Sequence, residues 1–187
     1  MINIPSCLQD AQTLLTPDGF EIRDIWYHGT SSTLLPSIKK QGLKRSGDKA
    51  LNQAAKNTMS TIGNNFTPVV EPVFLTQSKE LAYYWAEQAA RSRSSRLGTN
   101  EEPIVLAVNL PENQRNQIKP DVGATSLLLI KTGEQFMAHL GSIYERCGYA
   151  CPDIDLIKAD RMAFLNKLGM AYLDQDIHAT CVNSATE

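Results

Sequence analysis

Asp24-Ile25-Trp26-Tyr27-His28-Gly29-Thr30-Ser31-Ser32-Thr33 is the stretch on which the reading turns. Asp24 to Tyr27 alternates and is β-prone, which predicts a strand ending at His28-Gly29. Ser31, Ser32 and Thr33 are good helix N-caps, and Pro36 fits a first turn. Leu34, Leu35 and Ile38 then make an apolar face, and Gly42 provides a stop. A strand therefore runs through a His-Gly-Thr corner into a short capped helix.

Working outward, residues 44–71 are rich in Lys, Asn, Ser, Thr and Gly and predict a long irregular loop, mobile over a ligand. Pro72 to Thr76 predicts a short strand, and Ser78 caps a helix with Leu81, Tyr84, Trp85, Gln88 and Ala89 on its apolar face. That helix is expected to fade into a solvated end at Arg91, Arg93 and Arg96. Pro103 to Leu110 is the clearest strand, with further strands predicted at Ser126 to Lys131 and Ser142 to Arg146. From Asp160 to Leu173 a helical stripe runs through Met162, Leu165, Leu168 and Tyr172, and the tail after Asp176 is expected to fray. Strands dispersed among short helices without regular βαβ alternation indicate an α+β fold. The boundaries follow: a loosely packed lead-in at 1–21, a catalytic-type domain at 22–158, and a C-terminal helix and tail at 159–187.

The 187 residues, 42% of them apolar, suit one compact domain. A net charge of −2 disfavours a broad nucleic-acid surface. No apolar run has the length of a membrane span, and the N-terminus lacks a basic patch, so a cytoplasmic protein without a membrane partner is expected. Cys7, Cys147, Cys151 and Cys181 form no CxxC pair, and His139 stands too far from Cys147 for zinc spacing. Reduced thiols and no metal are the expectation. The common nucleotide loops, GxGxxG and Walker A, are absent.

Taken in order, the motifs are Tyr27-His28-Gly29-Thr30, then a helix ending at Gly42-Leu43, then Val73-Phe74-Leu75-Thr76 leading directly into a helix with Ala82 and Trp85. This order resembles the poly(ADP-ribose) polymerase and diphtheria-toxin branch of the ADP-ribosyltransferases, whose triad is His-Tyr-Glu. The resemblance covers residues 22–158 and implies a split β-sheet core with short flanking helices. It implies NAD as co-substrate, bound by His28, Gly29, Thr30, Phe74, Thr76 and Trp85. It also implies a catalytic pair of His28 and Glu145, the latter as the Glu that opens the family's late strand ahead of Gly148 and Pro152. Glu134 is the reserve. Phe74 stands where the family has Tyr, which keeps the stacking surface and loses the hydroxyl.

The chemistry asks for these residue types. Breaking the bond from nicotinamide to ribose leaves an oxocarbenium-like centre, which a carboxylate at the neighbouring hydroxyl stabilises. Nicotinamide asks for aromatic stacking, here from Phe74 and Trp85, and for a paired donor and acceptor, here the Gly29 backbone. His28 is expected to donate a ring N–H to the adenosine ribose, and the basic run from Lys39 to Lys56 to meet the pyrophosphate. The implied activity is transfer of ADP-ribose to a macromolecule, with a protein as acceptor in preference to nucleic acid. NAD hydrolysis, RNA 2′-phosphotransfer and an inactive NAD-binding pseudo-transferase are the alternatives.

Overall fold

The computed structural model describes residues 3–61, 63, 70–121, 123, 131–154 and 160–185. Its frame is a six-stranded antiparallel sheet built on β3 (Ile25–Ser31), which pairs residue for residue with β5 (Pro103–Asn109). On its other side β3 meets β4 (Val73–Thr76) at the single pair Tyr27–Thr76. β4 pairs fully with β7 (Met170–Leu173), β7 with β6 (Lys119–Pro120), and β5 with β8 (Val182–Ser184). The strand order is therefore β6-β7-β4-β3-β5-β8, a mixed helix-and-sheet architecture of the α+β kind.

The long helix α4 (Lys79–Leu97) explains how the sheet is covered. Ser78 caps it by accepting from the Glu80 N–H at 3.1 Å, and Gly98 ends it. Ala82 and Ala86 pack against β3, where a Cβ on Gly29 would stand 2.0 Å from the Ala82 carbonyl oxygen. The helix therefore sits closer to the strand than any side chain at position 29 permits. Its other face carries Leu81 and Tyr84 into a core shared with Phe136, Leu140 and Ile143 of α6 (Lys131–Arg146) and with Phe164 and Leu168 of α7 (Arg161–Leu168). With both faces occupied, α4 does not fade at Arg91; Arg93 is buried.

Three expectations are corrected here, and a fourth falls almost wholly outside the described residues. The segment after Lys44 holds a helix, α3 (Lys49–Thr61), whose first turn Asp48 caps through the Leu51 N–H; residues 62 and 64–69 lie outside the described ones. Ser142–Arg146 is helical, because Phe136, Leu140 and Ile143 recur at three and four residues and bury on α4. Of the strand expected at Ser126–Lys131, residues 126–130 lie outside the described ones, and Lys131 begins α6. The last helix stops at Leu168, where Gly169 adopts φ 65°, and Met170–Leu173 becomes a strand between β4 and β6.

Both ends of the chain join this frame. In the lead-in, α1 (Ala11–Leu14) and the small hairpin of β1 (Leu15–Thr16) with β2 (Gly19–Phe20) bury Ala11, Leu14, Leu15 and Phe20 in the α4–α6 core. Asp10 accepts from the Ser78 hydroxyl at 2.7 Å and from the Lys79 N–H at 2.8 Å, fastening the start of α4. At the other end Ile177 is fully buried and exchanges backbone hydrogen bonds with Leu43, so the segment after Asp176 is anchored where fraying was expected. Among the described residues no helix is long and apolar enough to cross a membrane.

Candidate functional site

The site forms where β3 and β4 part. Ser32 N–H donates to the Glu102 carbonyl at 2.8 Å, in register with the β3–β5 ladder. Hydrogen-bonded pairs alternate in an antiparallel ladder, so even-numbered residues of β3 face β5 and odd-numbered ones face β4. On β4, Gln77 N–H donates to the Gly169 carbonyl at 3.2 Å, which directs Thr76 and Phe74 towards β3. Continuing the register from Tyr27–Thr76 would set Gly29 against Phe74, yet strand pairing has already stopped. The Gly29 N–H and C=O and the Phe74 N–H are thus turned into the gap. Phe74 C=O is taken by the His28 ring, whose Nδ1 lies 2.8 Å away.

This gap is one wall of a cleft of about 750 Å³. His28, Gly29, Thr30 and Phe74 line it from the sheet. Leu34 and Ile38 line it from the turn after β3 and from α2 (Leu35–Gln41), Leu51 and Asn52 from α3, and Ala89 and Arg96 from α4. Phe74 is 45% exposed at its mouth, because the pleat sends Val73 and Leu75 into the core and Phe74 the other way. Burial lowers the pKa of His28, opposed by the bond to Phe74. A neutral ring whose Nδ1–H donates to a carbonyl presents Nε2 as an acceptor.

The cleft's charge is set by Lys44, Arg45, Lys49 and Arg96 against Asp48 and Glu71. Lys44 and Arg45 pair with Asp176 at 3.2 and 4.0 Å. Asp48 pairs with Arg93, which is itself buried and bonded to Glu101 at 2.6 Å. Burial would raise the Glu101 carboxyl, but hydrogen bonds from Arg93, Ser31, Thr33 and Thr99 outweigh it and hold the group at about 2. Arg93 is therefore neutralised on both sides, tying the start of α3 to the sheet. Among the described residues Lys49, Arg96 and Glu71 form no ion pair, so two free cations and one free carboxylate face the cleft.

Of the residues marked in the sequence, the fold brings His28, Gly29, Thr30 and Phe74 together and leaves the others elsewhere. Thr76 is buried and its hydroxyl donates to the Ser78 carbonyl at 2.8 Å, a turn contact. Trp85 is on the α6 side of α4, stacked on Phe136 with ring centroids 5.3 Å apart. Glu145 and Glu134 are exposed on α6 and do not line the cleft. The neighbour of Glu145, Arg146, pairs with Glu80 in the first turn of α4. Ala89, which the cleft touches, lies nine residues along, roughly 13 Å at the helical rise. The late strand opens at Met170 after Gly169, with no acid there. Glu71 and the Asp48–Arg93–Glu101 chain escaped the sequence reading, since Glu71 meets Ser46, 25 residues away, Asp48 and Arg93 are 45 apart, and Glu101 lies past the end of α4 with its Ser31 partner 70 residues back.

No family model, no curated protein and no solved structure matches this chain.

Proposed function

We propose that the cleft between β3 and β4 binds NAD and that the protein is a mono-ADP-ribosyltransferase with an ADP-ribosyltransferase-like split sheet. The observation that carries this is the peptide edge of Gly29, which β4 leaves unpaired among the described residues, set beside His28 and an exposed Phe74. A nicotinamide carboxamide presents one donor face and one acceptor, which the Gly29 C=O and N–H complement, while its ring stacks on Phe74. Trp85 leaves that stack one-sided. His28 accepts from a ribose hydroxyl through Nε2, the reverse of the polarity expected from sequence. Lys49 and Arg96 meet the pyrophosphate.

In the reaction the C1′–N bond breaks and its electron pair leaves on nicotinamide; a nucleophile of the acceptor, a protein side chain, then bonds to C1′ and releases its proton to solvent. The carboxylate that stabilises the intervening cation is assigned to Glu71, the cleft acid without an ion pair among the described residues, in place of Glu145. A second reading, an NAD-binding pseudo-transferase, is favoured by one observation: Gly169 and Met170 stand where the late strand would bring its Glu.

Incubation with NAD labelled in the adenosine half separates the readings. Transfer predicts label on a macromolecule. Glu71→Gln should lower turnover about a hundredfold with NAD affinity kept within a few-fold, and Glu145→Gln should match wild type. Free ADP-ribose alone would indicate a hydrolase, and binding without nicotinamide release the pseudo-transferase. No NAD binding by calorimetry would end the proposal.

A further inference from the structure

Tyr84, Gln88 and Arg91 recur on one face of α4, and Gln135, His139 and Ser142 on the facing side of α6; together they line a second cavity of about 450 Å³. It lies across α4 from the NAD cleft, which Ala89 lines. Polar groups facing each other between two packed helices need a reason, since Leu140 and Phe136 show that the same helices bury well with apolar residues.

The hydrogen-bond inventory adds to that need. Among the described residues four buried side-chain polar atoms have no partner. Three of them, Tyr84 Oη, Trp85 Nε1 and His139 Nε2, belong to the facing surfaces of α4 and α6. Tyr84 is only 2% exposed, and its ring stacks on that of His139 with centroids 4.8 Å apart. Burial without a partner destabilises each such group, so a ligand that bonds them is favoured.

The chemistry of the lining selects the partner. Tyr84 offers an O–H, His139 an N–H in its Nε2–H tautomer, and Gln88 and Gln135 their amide N–H groups. Arg91 offers the guanidinium nitrogens left over from its Nε contact with Glu87 at 3.0 Å. No carboxylate lines the cavity among the described residues. We infer that the groove between α4 and α6 is a binding site for an oxyanion, the carboxylate or phosphate group of a small ligand, held by Tyr84, His139 and Arg91.

Tyr84 Oη and His139 Nε2 are covered in the empty groove, so the anion reaches them as the longer side chains at its mouth, Gln88, Gln135 and Arg91, turn aside; one oxygen then takes the Tyr84 and His139 donors and another faces Arg91 and the glutamines. The His139 ring is neutral in the empty groove, where burial and then Arg146 lower its pKa to about 4. An N–H donor at neutral pH is therefore held without charge, and the guanidinium at the rim supplies the attraction.

Titrating the full chain with inorganic phosphate and, separately, with succinate tests this, read on the His139 ring signals in NMR. The chain has three histidines, so substitution assigns them. A saturable shift of His139 is expected with at least one of the two anions, and which one distinguishes phosphate from carboxylate. Tyr84→Phe, which keeps the ring packing, should weaken that binding about tenfold, and Arg91→Gln by a similar factor. Absence of a saturable shift with both anions overturns the site. So does an affinity unchanged in Tyr84→Phe, provided its far-UV circular dichroism matches wild type. NAD binding in the other cleft should be unaffected by either variant.

Discussion

The His28 imidazole has one ring nitrogen committed to the Phe74 carbonyl at 2.8 Å, and this commitment determines what the other nitrogen can do. Under the NAD reading, His28→Ala should weaken binding by about 1–2 kcal/mol in calorimetry while leaving the fold intact. Affinity should also fall as the pH is lowered below the ordinary histidine value of 6.5, because the ring's pKa is depressed and only its neutral form keeps Nε2 as an acceptor. His139 has a different consequence, for stability. Its folded pKa, about 4, lies below the unfolded 6.5, so the unfolded chain binds the extra proton first. Its contribution is full above pH 6.5 and is lost as the pH falls towards about 4. His139→Gln should flatten that part of the melting-temperature profile; an unchanged slope would show that the ring titrates normally. Glu101, held at about 2, loses its contribution only at lower pH, below 4.5, so the two effects are separable.

Elements meet here through small residues. Gly29→Ala must push β3 and α4 apart, since its Cβ would fall 2.0 Å from the Ala82 carbonyl oxygen and 2.6 Å from the Ala86 nitrogen. A loss of about 3 kcal/mol in denaturant unfolding is expected, the upper range for overpacking. If stability fell by less than a few tenths, α4 could not be seated as described. The helix α3 is held differently: none of its residues is fully buried, and its firm anchor is the link from Asp48 to Arg93. Hydrogen exchange over Lys49–Thr61 should therefore be faster than over α4 in the free protein and should slow with NAD, less so at high salt. Protection equal to that of α4 without ligand would make α3 a fixed wall.

At the scale of the whole molecule, the two ends hold the middle. Ile177 is fully buried and exchanges backbone bonds with Leu43 at 2.8 and 2.9 Å, and β8 covers the edge of β5. Deleting residues 177–187 should abolish the cooperative thermal transition and expose the β5 edge to association. A truncated chain that melts cooperatively near the wild-type temperature would contradict this role.

The local signals determined a good deal. The β3 strand, the Ser78 cap with its helix, and the Pro103–Asn109 strand each follow from residues adjacent in sequence or one turn apart, although β3 runs on through His28, Gly29 and Thr30 to Ser31 where an end at His28-Gly29 was expected. So does the grouping of His28, Gly29 and Thr30, which one strand carries together. What lay beyond the sequence depended on partners distant along the chain. Ile143 and Tyr144 read as β-prone until α6 has α4 to bury against, and Met170–Leu173 continues a helical stripe until β4 and β6 claim its backbone bonds. Trp85 has equal spacing for a cleft and for a core, and Gly29 against Ala82 decides which side of α4 it takes. Where Glu145 points, and that Glu71 faces the cleft with no ion pair among the described residues, are likewise consequences of packing. Hydrophobic period and caps act within a few residues, whereas the orientation of a helix on a sheet is settled by every surface that it must bury at once.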